Sequence, residues 1–310
     1  MAKPFITYDQ QVQKLKTEKN LVIPDETSAE RTLQNIGYYA LIGGYKHPFI
    51  DPRTRRYINN ASFDDIVALY YFDEELRNLF FKYIFRFERK MRSMISYAFT
   101  EIHGERQSEY LSQTNYDLSA HNTRDIQKLI GILYYHAHRD IEHEYIVYQR
   151  NKYHDIPLWV VINTLTFGQL SKMFSFLPQN MQARICKEFG SLQKNEMIRF
   201  MKILTLYRNL CAHGERLFSY RTQIAVFDTA LHQRLNIPKK GRTYTYGKND
   251  LFSVVIMLDY LLPRNEFIEF KRRLLSLLNN FEKKEVLSQK ALLEYMGFPN
   301  NWKDITKYKI

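Results

Sequence analysis

An all-α fold is predicted by three features of the sequence: few chain breakers, one long segment with none, and apolar residues spaced by three and four. Only 11 of the 310 residues are Gly and 9 are Pro, too few to punctuate a many-turned β architecture. Residues 62–103 contain neither. Along them Ile66, Tyr70, Leu76, Phe80, Tyr83, Phe87, Met91, Ile95 and Phe99 keep the amphipathic helix period.

The elements follow in order. Thr7 or Asp9 caps a short helix, and Ser28 opens a second. The stretch from Gly37 to Tyr45 ends or turns at Gly43 and Gly44, and Pro48, Pro52 and a basic cluster between Asp51 and Tyr57 make a loop. Residues 1–60 therefore read as an N-terminal segment. Ser62, with Asp64 and Asp65 behind it, caps the long helix, which spans roughly 60 Å if unbroken. Its apolar stripe shifts near Phe72–Glu75, where a break is admissible. Phe81, Phe85 and Phe87 are expected in the core. His103-Gly104 closes the helix, and a polar segment runs to about Asn122. Residues 123–150 read as one helix, and Pro157 suits a helix N1 position. A short helix over 178–190 and another over 194–213 follow. The tail, 236–310, opens with a basic, Tyr-rich loop at 238–248 and continues in helices at 249–261, 264–281 and 288–296. It carries 14 Lys+Arg against 8 Asp+Glu. The expected organisation is a helical domain over 1–235 with a basic C-terminal helical extension, 236–310, packed on it.

The net charge of +12 and a pI near 9.4 point to a polyanionic partner, either nucleic acid or an anionic surface. No apolar run approaches the ~18–20 residues that span a bilayer, and the N-terminus lacks the apolar core of a signal peptide. Cys186 and Cys211 have no metal-ligand spacing and fit a reduced, cytoplasmic protein. His136, His138 and His143 lie beside Asp140, Glu142 and Glu144, but without HExxH spacing or a second ligand cluster. They read as a solvated helix face, and neither metal nor cofactor is expected.

The residues suited to chemistry close the 194–213 helix. Arg208 and His213 stand there with four residues between them, Asn209 lies beside the arginine and Gly214 follows. An Arg-polar-x-x-x-His string resembles the signature of the HEPN superfamily of all-helical nucleases and nucleotide-binding domains. Other phrases extend the resemblance: Gly37-Tyr-Tyr-Ala-Leu-Ile-Gly-Gly-Tyr, Leu69-Tyr-Tyr-Phe-Asp-Glu-Glu-Leu-Arg, Phe87-Glu-Arg-Lys-Met-Arg-Ser, Pro157-Leu-Trp, Thr166-Phe-Gly-Gln-Leu-Ser and Tyr207-Arg-Asn-Leu-Cys-Ala-His-Gly-Glu-Arg-Leu. In this order they resemble the bacterial abortive-infection proteins of the AbiD/AbiF (Abi-like) family over about residues 8–220. The chain departs from that pattern at Gly214-Glu215 and Phe218-Ser219. The resemblance implies a HEPN-like helical bundle, a role in phage defence as a toxin-like ribonuclease, and control by a partner RNA in some members.

RNA cleavage without metal needs a group that moves protons near neutral pH and a cation facing the phosphorane. Histidine suits the first task and arginine the second. His213 is therefore assigned to proton transfer and Arg208 to transition-state charge, with Asn209 orienting His213 or a phosphate oxygen. On an ideal helix Asn209 and His213 share a face, whereas Arg208 lies about 140° from His213. Either Arg208 reaches around or the helix ends between them, with Gly214 as the C′ residue. One motif supplies few catalytic groups, so a homodimer with both motifs at one cleft is expected. Lys239, Lys240 and Arg242 are candidate RNA contacts beside tyrosines that could stack on bases. Arg92 and Glu88, i and i+4, either form an ion pair or line the same cleft. The alternative to the enzyme is a non-catalytic RNA-binding or regulatory protein on the same fold. A weaker alternative is a nucleotidyl- or phosphate-binding partner protein.

Overall fold

Ser62 starts the spine of the molecule. Its hydroxyl accepts the Asp65 amide while the Asp65 carboxylate accepts the Ser62 amide, a capping box that satisfies two otherwise free donors. The helix then runs unbroken from Phe63 to His103. The stripe shift near Phe72–Glu75 is no breaker. It is a charged pair, Asp73 and Arg77, buried among the apolar positions and bonded at 2.9 Å.

The computed structural model describes residues 4–119, 123–190, 192–282 and 287–308. Helices α1 (Tyr8–Gln13) and α2 (Glu26–Ile36) precede the spine, α3 (Phe63–His103). Helices α4 (Gln107–Leu111), α5 (Thr123–Arg139), α6 (Glu144–Tyr153), α7 (Leu158–Val161), α8 (Phe167–Phe176) and α9 (Gln179–Lys187) lead to α10 (Lys194–Ala212). Helix α11 (Ala230–Arg234) is followed by a hairpin of β1 (Lys239–Lys240) and β2 (Thr243–Tyr244). Helices α12 (Leu251–Leu261), α13 (Arg264–Glu282) and α14 (Gln289–Met296) complete an all-α fold.

Several boundaries differ from those the sequence predicts. Thr7 caps α1 as expected, but α2 starts under Asp25, whose carboxylate accepts the Ser28 amide at 3.0 Å. Ser28 is thus inside the first turn. Pro157 sits at the cap of α7, one position before N1. The single helix expected over 123–150 is two. Asp140 Oδ1 accepts the amides of Glu142 and His143 at 2.9 and 3.1 Å, which takes those donors from the helical ladder and turns the chain. The polar segment expected to end near Asn122 finishes outside the described residues.

Helix α3 is covered on one side by α10 and on another by α13. Phe270 meets Phe80 and Tyr83 edge-on at 5.2 and 5.1 Å, and Phe281 lies 4.7 Å from Phe72. Arg86 bonds Glu266 at 2.8 Å across the same seam. Each such ring is worth ~1.5–3 kcal/mol when buried, so the tail completes the core on α3. No helix among the described residues is long and apolar enough to cross a membrane.

Candidate active site

The end of α10 is built as a Schellman motif. His213 is the C-cap, and Gly214 follows at φ 68°. The Glu215 amide donates to Leu210 O at 3.0 Å and the Gly214 amide to Cys211 O at 3.3 Å, the paired bonds that close such a cap. Gly214 is there because the left-handed conformation costs any side-chain-bearing residue energy. The helix therefore stays intact past Arg208 and ends on His213 itself, not between the two. His213 is exposed, which excludes a packed core histidine.

Arg208 is tethered. Its Nε donates to Glu88 Oε2 at 3.3 Å and its Nη1 to Asn209 Oδ1 at 3.5 Å, and the side chain keeps 25% of its surface exposed. Glu88 is fully buried and also pairs with Arg92 one turn along α3. The second fork of Arg92 donates to Ile162 O at 2.7 Å, leaving its side chain 12% exposed. Arg92 is thus spent on Glu88 and a carbonyl and does not present an open phosphate contact. Asn209 is exposed, and only its backbone carbonyl bonds His213, at 2.9 Å.

Phe87 is core, as expected, but Phe81 and Phe85 are not. They stack at 6.1 Å and 8°, Phe85 is 43% exposed, and the Arg208 guanidinium lies 5.9 Å from the Phe81 ring. The sequence period could not separate them, because α3 is packed on more than one side.

A second centre holds the chain beyond the cap. Asp73 accepts the amides of Leu217 and Phe218 at 2.8 and 2.7 Å, the Tyr45 hydroxyl at 2.8 Å and Arg77 at 2.9 Å. Burial pushes the Asp73 carboxyl up, and these four donors pull against it. Sequence reasoning gave Tyr45, Asp73 and Arg77 no role, although a charged pair at i and i+4 inside an apolar stripe was the available signal. Next to this centre a cleft of about 490 Å³ is lined by Gly214, Glu215, Arg216, Tyr39, Gly44 and Tyr220, among others. Tyr39, in a π-turn at Tyr39–Gly43, is 89% exposed. It falls in the Gly37-to-Tyr45 phrase of the family resemblance, to which no functional role was assigned.

Lys239, Lys240 and Arg242 are exposed on the hairpin, in place of the expected loop. Tyr244 is not available to a base: it packs inward on His232 at 4.8 Å. Burial pushes the His232 imidazole down to about 4. Burial also pushes the thiols of Cys186 and Cys211 up to about 11 and about 12, so neither is a thiolate nucleophile near neutral pH.

The chain is a helical protein that exposes His213 and part of Arg208 near the end of α10, and the cleft is lined by the residues that follow His213, not by the pair itself. Residues 31–219 match the model of the family described as Abi-like protein, and the chain belongs to that family. Membership carries the coarse role of abortive infection in defence against phage. The matched stretch contains both carboxylate centres and the motif, and α11 to α14 lie beyond it. No curated protein and no solved structure matches the chain significantly.

Proposed function

We propose that the chain is a metal-independent endoribonuclease of the HEPN type, the effector in phage defence. One observation carries the reading: Arg208 and His213 both reach the surface at the end of α10, the arginine aimed by a buried carboxylate and the histidine set on a rigid cap. In the reaction the ribose 2′-oxygen gives its proton to His213 and bonds the adjacent phosphorus. The 5′-oxygen leaves, taking a proton, and a 2′,3′-cyclic phosphate remains. Arg208 faces the charge that grows on the phosphorane oxygens, and the Asn209 side-chain amide is open to a phosphate oxygen. Phe81 and Phe85 offer stacking faces next to the arginine. Lys239, Lys240 and Arg242 hold the RNA backbone.

A single chain offers one histidine for two proton transfers. The active form is a homodimer in which His213 of a second copy protonates the leaving oxygen. Light scattering after gel filtration checks this, and a monomer both with and without RNA would refute it.

The binding-only alternative has its own support. Arg208 is already bonded to Glu88, and the His213 side chain has no protein hydrogen-bond partner among the described residues to set its tautomer. Cleavage of mixed RNA in EDTA separates the two. Wild type should leave 2′,3′-cyclic phosphate ends, while Arg208→Ala and His213→Ala should bind RNA without cutting. RNA bound but uncut by wild type would favour the alternative.

A further inference from the structure

The corner between α5 and α6 holds a cluster that the RNA chemistry leaves unused. His136 closes α5, Asp140 turns the chain, and His143 is the N-cap residue of α6. The ring nitrogens His136 Nδ1 and His143 Nδ1 both lie on one carboxylate oxygen, Asp140 Oδ2, at 2.6 and 2.8 Å. We propose that His136, Asp140 and His143 bind one divalent transition-metal ion of the zinc class.

Three observations support this. The first is convergence. One ligand atom from each of the three residues falls within a sphere where all are within 4.8 Å of one another. The rings stand at 81° with centroids 5.9 Å apart, edges toward the shared oxygen. The second is that the cap does not need the histidines. Oδ1 alone takes the amides of Glu142 and His143, which fixes the carboxylate and leaves Oδ2 for another task. The third is support from outside the ligands. Arg150 donates to Asp140 O at 2.7 Å and to Ala137 O at 3.2 Å, so the turn is bolted from α6. These bonds fix the backbone that carries the ligands, not the ligand side chains themselves.

Two imidazoles and one carboxylate form a donor set that suits zinc and its neighbours and leaves a fourth position for water. Zinc bonds of about 2.0–2.2 Å place tetrahedral ligand atoms roughly 3.3 Å apart. The nitrogens must withdraw from Oδ2 by roughly half an ångström and, starting within 4.8 Å of each other, close to the same spacing by ring rotation. Each neutral imidazole then carries its proton on Nε2. Neither Nε2 has a protein partner among the described residues, so water can accept that bond. The expected role is to pin α6 to the end of α5. It shares no residue with Arg208 and His213, so zinc binding and EDTA-resistant cleavage succeed or fail separately.

The test uses the full chain, freed of metal by EDTA and then of EDTA, titrated with Zn²⁺ by calorimetry. The expected result is one ion per chain and a thermal midpoint that rises with Zn²⁺. His136→Ala and His143→Ala should each weaken binding by at least the ~10–100-fold that loss of an outer-shell partner costs. His138→Ala, whose ring stacks on Tyr134 at 4.1 Å outside the cluster, should bind as wild type. Asp140→Asn also disturbs the cap, so the histidine variants decide the outcome, with circular dichroism confirming their folding. No binding, or one-to-one binding unchanged in both histidine variants, overturns the proposal.

Discussion

Asp73 and Glu88 lie about four turns apart on α3 and look alike on the helix. Each carboxylate is fully buried, each pairs with an arginine at i+4, and each reaches across to the segment that carries the motif. They differ in what fills the remaining acceptor positions. Asp73 spends them on two backbone amides and a buried hydroxyl, and Arg77 is left 6% exposed. Glu88 spends its position on Arg208, which stays 25% exposed. The first centre is closed and locks the loop after His213. The second is open and aims a charged fork at solvent. A buried carboxylate on this helix is therefore closed or open to solvent according to whether its last donor is backbone or a partly exposed side chain.

The contrast can be broken at either end. Asp73→Ala strands the Arg77 charge and two amides and is expected to cost about 3–5 kcal/mol in urea denaturation; a loss below about 1 kcal/mol would mean the closed centre holds little. Arg208→Ala leaves the buried Glu88 with Arg92 still paired, so it should cost less, about 1–3 kcal/mol, and cut RNA cleavage about 10²–10³-fold. His213→Ala should lower cleavage about 10²–10⁴-fold at unchanged urea midpoint. Equal stability losses for Asp73→Ala and Arg208→Ala would erase the distinction.

The tail supplies a neutral counterpart. His232 is fully buried and its imidazole is pushed down to about 4. Since the unfolded chain takes up that proton first, near its ordinary value of 6.5, stability is present above pH 6.5 and lost as pH falls toward 4. The loss is roughly 3 kcal/mol over that window, and His232→Gln should flatten it in thermal melts. A smaller stability effect than that of Asp73 or His232 belongs to the cap. Gly214→Ala should cost about 1 kcal/mol through its left-handed backbone, and if the cap sets His213, cleavage should fall with it.

Much of this was legible in the residues. The helical class, the Ser62 cap and Gly214 as C′ follow from spacing and local hydrogen-bond chemistry, which act within a few residues. The Arg208-to-His213 string was visible through its resemblance to the HEPN signature and the Abi-like phrases around it. The break at Asp140 was missed because its cap hides inside an otherwise helical run. Phe85 was misplaced because a helix flanked on more than one side has more than one candidate apolar face.

Periodicity and capping, both short-range, were enough to set most of the helices, and the family resemblance marked the candidate site residues. Which carboxylate closes over its arginine, whether Tyr244 faces water or His232, and that His136 and His143 meet on one oxygen all depend on partners brought together by packing. Desolvation and acceptor occupancy decide those outcomes, and neither has a value until distant helices surround the group.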